Sequence, residues 1–211
     1  MVKMLFMKHE DKNVETIETY DVNPEYYAEK FKVIGDLRKK DVDIGLSLIK
    51  GNSKKCLEIG CGSGKDAQYL LSFVDSYVGL DASEGMLKLA RNNNQDVDFK
   101  LADMRKVDFP LNSFDIIFAF ASFLHLNDRE LLKIIKKSYL WLNSGGVLYM
   151  TMKYGLNREL EKKDVNGNRF FYFYTPEEIR KMAESIGFAV VYENRQNILG
   201  VDWFELALRK E

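Results

Sequence analysis

The sequence predicts an α/β protein built on a mostly parallel sheet that ends in an antiparallel pair of strands. Short apolar runs alternate with amphipathic segments along most of the 211 residues, which is typical of parallel strands joined by right-handed helical crossovers. The last two strand-like runs follow each other without a helical pattern between them, so we expect them to pair antiparallel. No linker-like stretch divides the chain, and its length suits one domain with an ordinary core.

Each element follows from the apolar pattern and from its end signals. The predicted strands are residues 55–59, 76–80, 97–101, 114–120, 146–152, 188–193 and 203–209. The predicted helical segments are residues 24–50, 67–74, 131–138 and 176–186. The last helix has the clearest ends, because Thr175 and Glu178 can form a capping box and Gly187 can end it. Residues 155–174, which precede this helix, are long for a connection and are expected to form a lid-like insertion.

Composition excludes several classes of protein. With 31 basic and 32 acidic residues the net charge is −1, so the chain lacks the electrostatic footprint of a duplex nucleic-acid binder. The longest mostly apolar run, residues 114–126, is too short to span a bilayer, so no membrane is expected as a partner. The first residues show no signal-peptide pattern, and Cys56 and Cys61 predict no disulfide, so we expect a cytoplasmic protein. Two histidines without a cysteine cluster predict no metal site.

A glycine-rich loop follows the first predicted strand in the stretch LEIGCGSGK. The glycine–lysine pair is followed by aspartate, which excludes a phosphate-binding P-loop, and Lys65 breaks the dinucleotide fingerprint. What remains is Glu58-x-Gly60-x-Gly62-x-Gly64, a loop that brings backbone close to a ligand. The alternative interpretation is a tight turn between a strand and a helix.

Acidic residues follow the next two predicted strands. Asp81 can accept hydrogen bonds from both hydroxyls of a ribose, although it could instead cap the helix that starts near Ser83. Asp103 can accept from an adenine amino group, and the neighbouring Met104 can flank the ring. In sheets of this type ligands lie outside the carboxyl ends of the strands, so these residues together predict an adenosyl ligand.

The motifs LEIGCGSG, GLDASEGML, LADM, FDIIFAFASFLHL and LWLNSGGVLYMTMK resemble the class I S-adenosylmethionine-dependent methyltransferases, and the resemblance covers about residues 20–211. It implies a doubly wound, Rossmann-like seven-stranded sheet of order 3-2-1-4-5-7-6 with strand 7 antiparallel. It also implies S-adenosylmethionine as cofactor and S-adenosylhomocysteine as product. Residues 1–50 would be an N-terminal extension with a covering helix, and 51–211 a single methyltransferase domain. The cofactor-binding residues that it implies are Tyr27, Glu58, Gly60, Cys61, Gly62, Gly64, Asp81, Ala82, Met86, Asp103, Met104, Ala119 and Phe120.

The methyl acceptor is less well defined by the sequence. Transfer from a sulfonium needs orientation and exclusion of water, and it needs a base only if the nucleophile arrives protonated. The stretch FAFASFLHL lacks the Asn/Asp-Pro-Pro-Tyr/Phe motif of enzymes that methylate exocyclic or amide nitrogens, which favours a small molecule. His125 is the one candidate catalytic residue, with a structural role as its alternative. The candidate substrate residues are His125, Tyr154, Arg169, Phe171, Tyr172 and Trp203.

Other functions stay open at this point. A tRNA methyltransferase of the wobble-uridine type is possible, because some of these enzymes carry an aromatic segment like RFFYFY before the last helix. A non-catalytic S-adenosylmethionine-binding module is the alternative from another class, and an NAD-dependent oxidoreductase is disfavoured by Lys65. A fixed positive charge on Arg169 suggests a carboxylate or phosphate on the acceptor. The chain could be a monomer or a homodimer.

Overall fold

The computed structural model describes residues 11–30, 35–156 and 159–211. The strands in the described residues are β1 (Lys55–Ile59), β2 (Ser76–Asp81), β3 (Asp98–Leu101), β4 (Phe114–Phe120), β5 (Leu142–Lys153), β6 (Glu159–Asp164), β7 (Gly167–Tyr172), β8 (Phe188–Ile198) and β9 (Val201–Lys210). The helices are α1 (Lys12–Val22), α2 (Pro24–Lys30), α3 (Gly35–Ser47), α4 (Ala67–Leu71), α5 (Glu84–Asn93), α6 (Asp128–Trp141) and α7 (Pro176–Ile186), with a short 3-10 helix at Phe123–His125.

Seven strands form the main sheet in the order β3-β2-β1-β4-β5-β9-β8. Strands β1 to β5 are parallel to one another, whereas β9 runs antiparallel between β5 and β8. Since β8 and β9 are the sixth and seventh strands of this sheet, the predicted order 3-2-1-4-5-7-6 with an antiparallel seventh strand is confirmed.

The core consists of two apolar layers, one on each face of the sheet. Alternate residues of β4 show the division, because Ile117 and Ala119 belong to one layer while Ile116 and Phe118 belong to the other. Helices α6 and α7 cover the first layer, and α3, α4 and α5 cover the second. The carboxyl edge of the parallel strands is left for other segments to cover.

Two strands match the prediction residue for residue, while other elements differ. Strands β1 and β4 have the predicted bounds, but β5 begins at Leu142 because α6 passes into it directly. Strand β8 continues to Ile198, where Leu199 and Gly200, both with positive φ, turn the chain into β9. The predicted helix 24–50 contains α2 and α3, and its residues 31–34 lie outside the described residues.

The N-terminal part and the predicted lid have a structure that the sequence did not reveal. Helix α1 was not predicted, since the residues that it buries are Asn13, Thr16 and Thr19 rather than an apolar stripe. Strands β6 and β7 pair as a separate antiparallel hairpin inside 155–174, and α1 packs along β7. The prediction about a signal peptide falls on residues 1–10, which lie outside the described residues. None of the described helices is long and apolar enough to cross a membrane.

Candidate functional site

The carboxyl ends of β3, β2, β1 and β4 lie side by side at one edge of the sheet. Ile59 of β1 pairs with Leu80 of β2, and Asp81 pairs with Leu101 of β3. On the other side of β1, Glu58 pairs with Phe118 of β4. The loops that follow these four strands therefore emerge together, and they contain most of the predicted cofactor residues.

The glycine loop turns sharply over the end of β2. The amides of Gly60 and Cys61 both donate to the Leu80 carbonyl, at 2.6 and 3.0 Å. Gly60 has a φ of +78°, and a Cβ there would lie 2.4 Å from the Cβ of Ser122, so no larger residue fits. Gly62 also has a positive φ, but a Cβ there would meet no protein atom within 4 Å. The outer side of the loop is therefore open at Gly62, as a loop that receives a ligand must be.

Asp81 fixes the glycine loop as well as ending β2. Its Oδ2 accepts from the Gly62 amide at 2.8 Å and its Oδ1 accepts from the Ser83 amide at 2.9 Å. Burial raises the pKa of Asp81, while these backbone donors oppose the rise. The side chain that caps α5 belongs to Ser83, whose Oγ accepts from the Met86 amide. Ala82 is half-buried beside this turn and Met86 is buried in α5.

Asp103 is held by an arginine two residues along the chain. Nε and Nη2 of Arg105 donate to its carboxylate at 3.0 and 2.7 Å. Burial raises the pKa of Asp103, but the hydrogen bonds from Arg105 outweigh this effect and the net pKa lies below its usual value. Nη1 of Arg105 also binds Asp11 at 2.8 Å and Glu130 at 3.1 Å. Asp103 is therefore ionised, and Met104 beside it is half-buried.

Glu58 lies beneath the glycine loop in a nearly dry environment. It is 1% exposed, and its Oε2 accepts from the Tyr77 hydroxyl at 2.6 Å. Burial raises the pKa of Glu58 to about 8, with the nearby Asp66 adding to the shift. The guanidinium of Arg38 stands 4.1 Å from the centre of the Phe120 ring and 3.7 Å from Asp66. The buried polar side chains of Glu58, Arg38 and Asp66 thus support the glycine loop.

The remaining predicted cofactor residues are mostly buried around the same loop. Gly64 has a positive φ, and its carbonyl accepts from the Asn94 side chain at 3.0 Å. Cys61 is 4% exposed, and burial raises the pKa of its thiol well above the usual value. Ala119 is fully buried near the end of β4.

Helices α1 and α2 cover the β2 side of this edge. Asp21 accepts from the Ser83 hydroxyl at 2.6 Å and from the Gly85 amide at 2.8 Å, which joins α1 to the start of α5. Tyr27 is fully buried, and its hydroxyl donates to Asp164 of the β6–β7 hairpin at 2.9 Å. Its ring contacts that of Tyr20 edge to face, with centroids 4.8 Å apart.

His125 joins the 3-10 helix to α1 and the hairpin. Its Nδ1 lies 2.6 Å from the Phe170 carbonyl, which can only accept, so Nδ1 carries the proton. Its Nε2 then accepts from the Tyr20 hydroxyl at 3.2 Å. Burial lowers the pKa of His125 to about 4, and the charges of Arg169 and Lys153 contribute to the shift. His125 is therefore neutral near pH 7 with both ring nitrogens engaged.

Only some of the predicted substrate residues lie near His125. Arg169 is 2% exposed, lies 4.6 Å from the Tyr27 ring, and pairs with Asp164 at 3.1 Å. The Phe171 ring lies 4.9 Å from the His125 ring. Tyr172 follows Phe171 in β7 and lies on the opposite face, among the charges of Lys12 and Glu159. The structure thus brings together His125, Arg169 and Phe171.

Tyr154 and Trp203 lie farther out, near the turn between β8 and β9. Together with Arg195, Asn197 and Asp202 they line an open groove of about 320 Å³. The Arg195 guanidinium covers the Tyr154 ring at 5.0 Å. The Trp203 ring also lies 5.7 Å from the ammonium of Lys153 at the end of β5.

Sequence reasoning missed several residues of the site. Tyr20 and Asp21 lie in the unpredicted helix α1, and Lys153 occupies the last position of β5. Arg105 could have been found from its place two residues after Asp103, since a side chain there can fold back onto the carboxylate. The others depend on contacts between distant segments, such as Tyr20 with His125, which no local pattern reveals.

Comparison with known proteins finds similarity to methyltransferases in the central part of the chain. Residues 56–146 match the family model described as a methyltransferase domain. Phosphoethanolamine N-methyltransferase 3 of Arabidopsis thaliana is 33% identical over 132 residues, which are 59% of this chain and 26% of the relative. Sterol 24-C-methyltransferase of Debaryomyces hansenii is 30% identical over 155 residues, 66% of this chain and 41% of the relative. The matches thus span a quarter to two fifths of these two relatives.

Solved structures show the same fold over most of the chain. An S-adenosylmethionine-dependent methyltransferase from Leishmania major has a TM-score of 0.78 at 17% identity, covering 94% of this chain and 83% of that one. The DhpI–SAH complex has a TM-score of 0.72 at 17% identity, covering 93% and 98%. At these identities the likeness concerns the fold, and it includes the N-terminal and C-terminal parts that the family model does not match.

Proposed function

We propose that this chain transfers a methyl group from S-adenosylmethionine to a small molecule, because residues 56–146 match a methyltransferase-domain model and the sheet has the fold of the class I S-adenosylmethionine-dependent methyltransferases. The observation that carries the proposal is the pairing of Asp81 with the open glycine loop at Gly62. A carboxylate and a loop with free space beside it lie together where four parallel strands end.

The residues at this edge fit the cofactor. The loop from Gly60 to Gly64 would receive the methionyl part, Asp81 the ribose hydroxyls, and Asp103 with Met104 the adenine. Bound there, the cofactor supplies a methyl group that is already activated. It carries no pyrophosphate, so the glycine that Lys65 replaces in the dinucleotide fingerprint is not needed.

The cluster of His125, Arg169 and Phe171 is enclosed by other parts of the chain, which supports a small methyl acceptor. Tyr20, Tyr27 and the hairpin close over the strand ends, and the described side chains around His125 are largely buried. A closed site excludes water and orients the two partners, which is most of what methyl transfer requires. The two curated relatives named above act, by their names, on phosphoethanolamine and on a sterol, both of which are small molecules.

His125 has a positioning role in this proposal. Its Nε2 already accepts from the Tyr20 hydroxyl, and its low pKa keeps it neutral. It therefore holds Tyr20 and the hairpin in place. A proton released by the acceptor would leave by another route.

The proposal is tested by methyl transfer from isotope-labelled S-adenosylmethionine to fractionated metabolites and to bulk tRNA. We expect label in a metabolite fraction with the natural chain, and much less with Asp81→Ala when S-adenosylmethionine is not saturating. Label in tRNA would overturn the small-molecule acceptor and favour the wobble-uridine alternative. Tight binding of S-adenosylhomocysteine without transfer to either pool would favour the non-catalytic binding module.

A further inference from the structure

Two cationic side chains meet at the inner face of the hairpin. The ammonium of Lys153 lies 4.0 Å from the centre of the Phe171 ring, and the guanidinium of Arg169 lies 5.5 Å from the same centre. Lys153 ends β5, next to the edge where the cofactor site lies, and the His125 ring also contacts Phe171. Both cations therefore face the region where the proposed function places the methyl acceptor.

The anionic partners that the described residues offer these two cations are incomplete. Among the described residues no carboxylate lies within ion-pair distance of Lys153, although its side chain is half-buried. Arg169 is 2% exposed and pairs with Asp164 through Nη2, but its Nε is buried without an acceptor in the described part of the chain. Buried donors without acceptors are costly, so this arrangement indicates that an anion completes it.

Electrostatics agrees with this geometry. Burial, together with the charges of Lys162 and Arg169, lowers the pKa of Lys153 to about 8. The contact with the Phe171 ring offsets little of the cost of burying the Lys153 charge, because a cation–π contact is worth only about 0.5–2 kcal/mol. An anion placed beside both groups would relieve their mutual repulsion and satisfy Nε of Arg169.

We propose that Lys153 and Arg169 form a subsite for an anionic group of the methyl acceptor, a phosphate or a carboxylate, beside the Phe171 ring. The inference rests on the proposed function and narrows its substrate to acidic small molecules. Arg169 supplies the directional donor and Lys153 a point charge, which is the usual division between these side chains at an anion. Asp164 competes with the ligand for Arg169.

The test uses inorganic phosphate and acetate as probes, with chloride at equal ionic strength as reference. Lys153 is labelled with an amine-reactive acetyl ester at pH 8, and its modification is followed by mass spectrometry in the full chain. We expect phosphate or acetate to slow labelling of Lys153 and chloride to have no such effect. Protection by phosphate alone identifies a phosphate group, and protection by acetate alone a carboxylate. Lys163, an exposed lysine of the same hairpin, should label alike in all three salts.

Two variants test the role of Arg169. Arg169→Gln should raise about tenfold the anion concentration that halves the labelling rate of Lys153. A change of this size corresponds to the loss of one charge-assisted hydrogen bond. Asp164→Asn should lower that concentration, because it removes the competing carboxylate, and it keeps the test decisive if Arg169→Gln does not fold. Equal labelling of Lys153 in all three salts, in both the natural chain and Asp164→Asn, would overturn the subsite. Calorimetry with S-adenosylhomocysteine on the same samples separates this failure from failure of the proposed function.

Discussion

Asp81 is the residue on which most of the proposed cofactor site depends. Replacing it by Ala removes the proposed ribose contacts, so affinity for S-adenosylhomocysteine should fall at least about tenfold. The same carboxylate accepts from the Gly62 and Ser83 amides, so the free energy of unfolding without ligand should also fall, by about 1–3 kcal/mol. Calorimetry and urea denaturation measure the two effects.

The matched control for Asp81 is Asp98, an exposed carboxylate on the neighbouring strand β3. Its ion pair with Lys100, at 3.8 Å between exposed side chains, is expected to contribute little. Asp98→Ala should leave both affinity and stability nearly unchanged. An Asp81→Ala protein that binds S-adenosylhomocysteine as tightly as Asp98→Ala would remove the ribose assignment.

His125 gives the fold a specific pH dependence. Its pKa in the folded chain is about 4, below the usual value of about 6.5, so the unfolded state binds its proton more tightly. The stabilisation is fully present above about pH 6.5 and is lost as pH falls toward 4. Between pH 7 and pH 5 this residue should cost about 2 kcal/mol of stability.

The measurement for His125 compares the natural chain with His125→Asn, whose amide can still donate to the Phe170 carbonyl. Urea denaturation at pH 7 and pH 5 should show a smaller loss of stability for the variant than for the natural chain. Equal losses would mean that His125 titrates at its ordinary pKa in the folded protein and is not held between Phe170 and Tyr20.

At the scale of elements, helix α1 is held mainly by polar contacts. Arg105 binds Asp11 at its start, and the Thr16 hydroxyl accepts from the Phe170 amide of β7. Replacing Arg105 by Met should therefore speed hydrogen exchange of the α1 amides while the amides of β1 and β4 keep their protection. Lys106→Met, at an exposed neighbouring residue, is the control, and unchanged exchange in α1 after Arg105→Met would show that other contacts hold the helix.

Elements differed in how far the sequence could predict them, and for physical reasons. Strands β1 and β4 are mostly apolar and almost wholly buried, so their bounds can be read from the sequence. Helix α1 buries polar side chains whose partners lie more than 100 residues away, such as Asn13 on Glu130. No apolar period marks such a helix, so only the folded structure reveals it.

Across the whole molecule, some residues of the candidate site could be predicted from the sequence and others could not. The strand-end residues were predictable, because parallel strands must bring their carboxyl ends to one edge and the glycine and acidic motifs follow those ends directly. The covering residues Tyr20, Asp164 and Lys153 were not, since α1, the hairpin and β5 meet only after the chain folds. The predicted lid is therefore one part of a cover built from three separate segments.

The carboxyl edge of the sheet is expected to bind an adenosyl sulfonium cofactor and not a dinucleotide. Calorimetric titration of the full chain with S-adenosylhomocysteine and, separately, with NAD tests it most directly. We expect saturable binding of S-adenosylhomocysteine and none of NAD, because Asp81 and the open loop at Gly62 suit the first while Lys65 replaces a glycine that the second requires. Tight binding of NAD without binding of S-adenosylhomocysteine would contradict it.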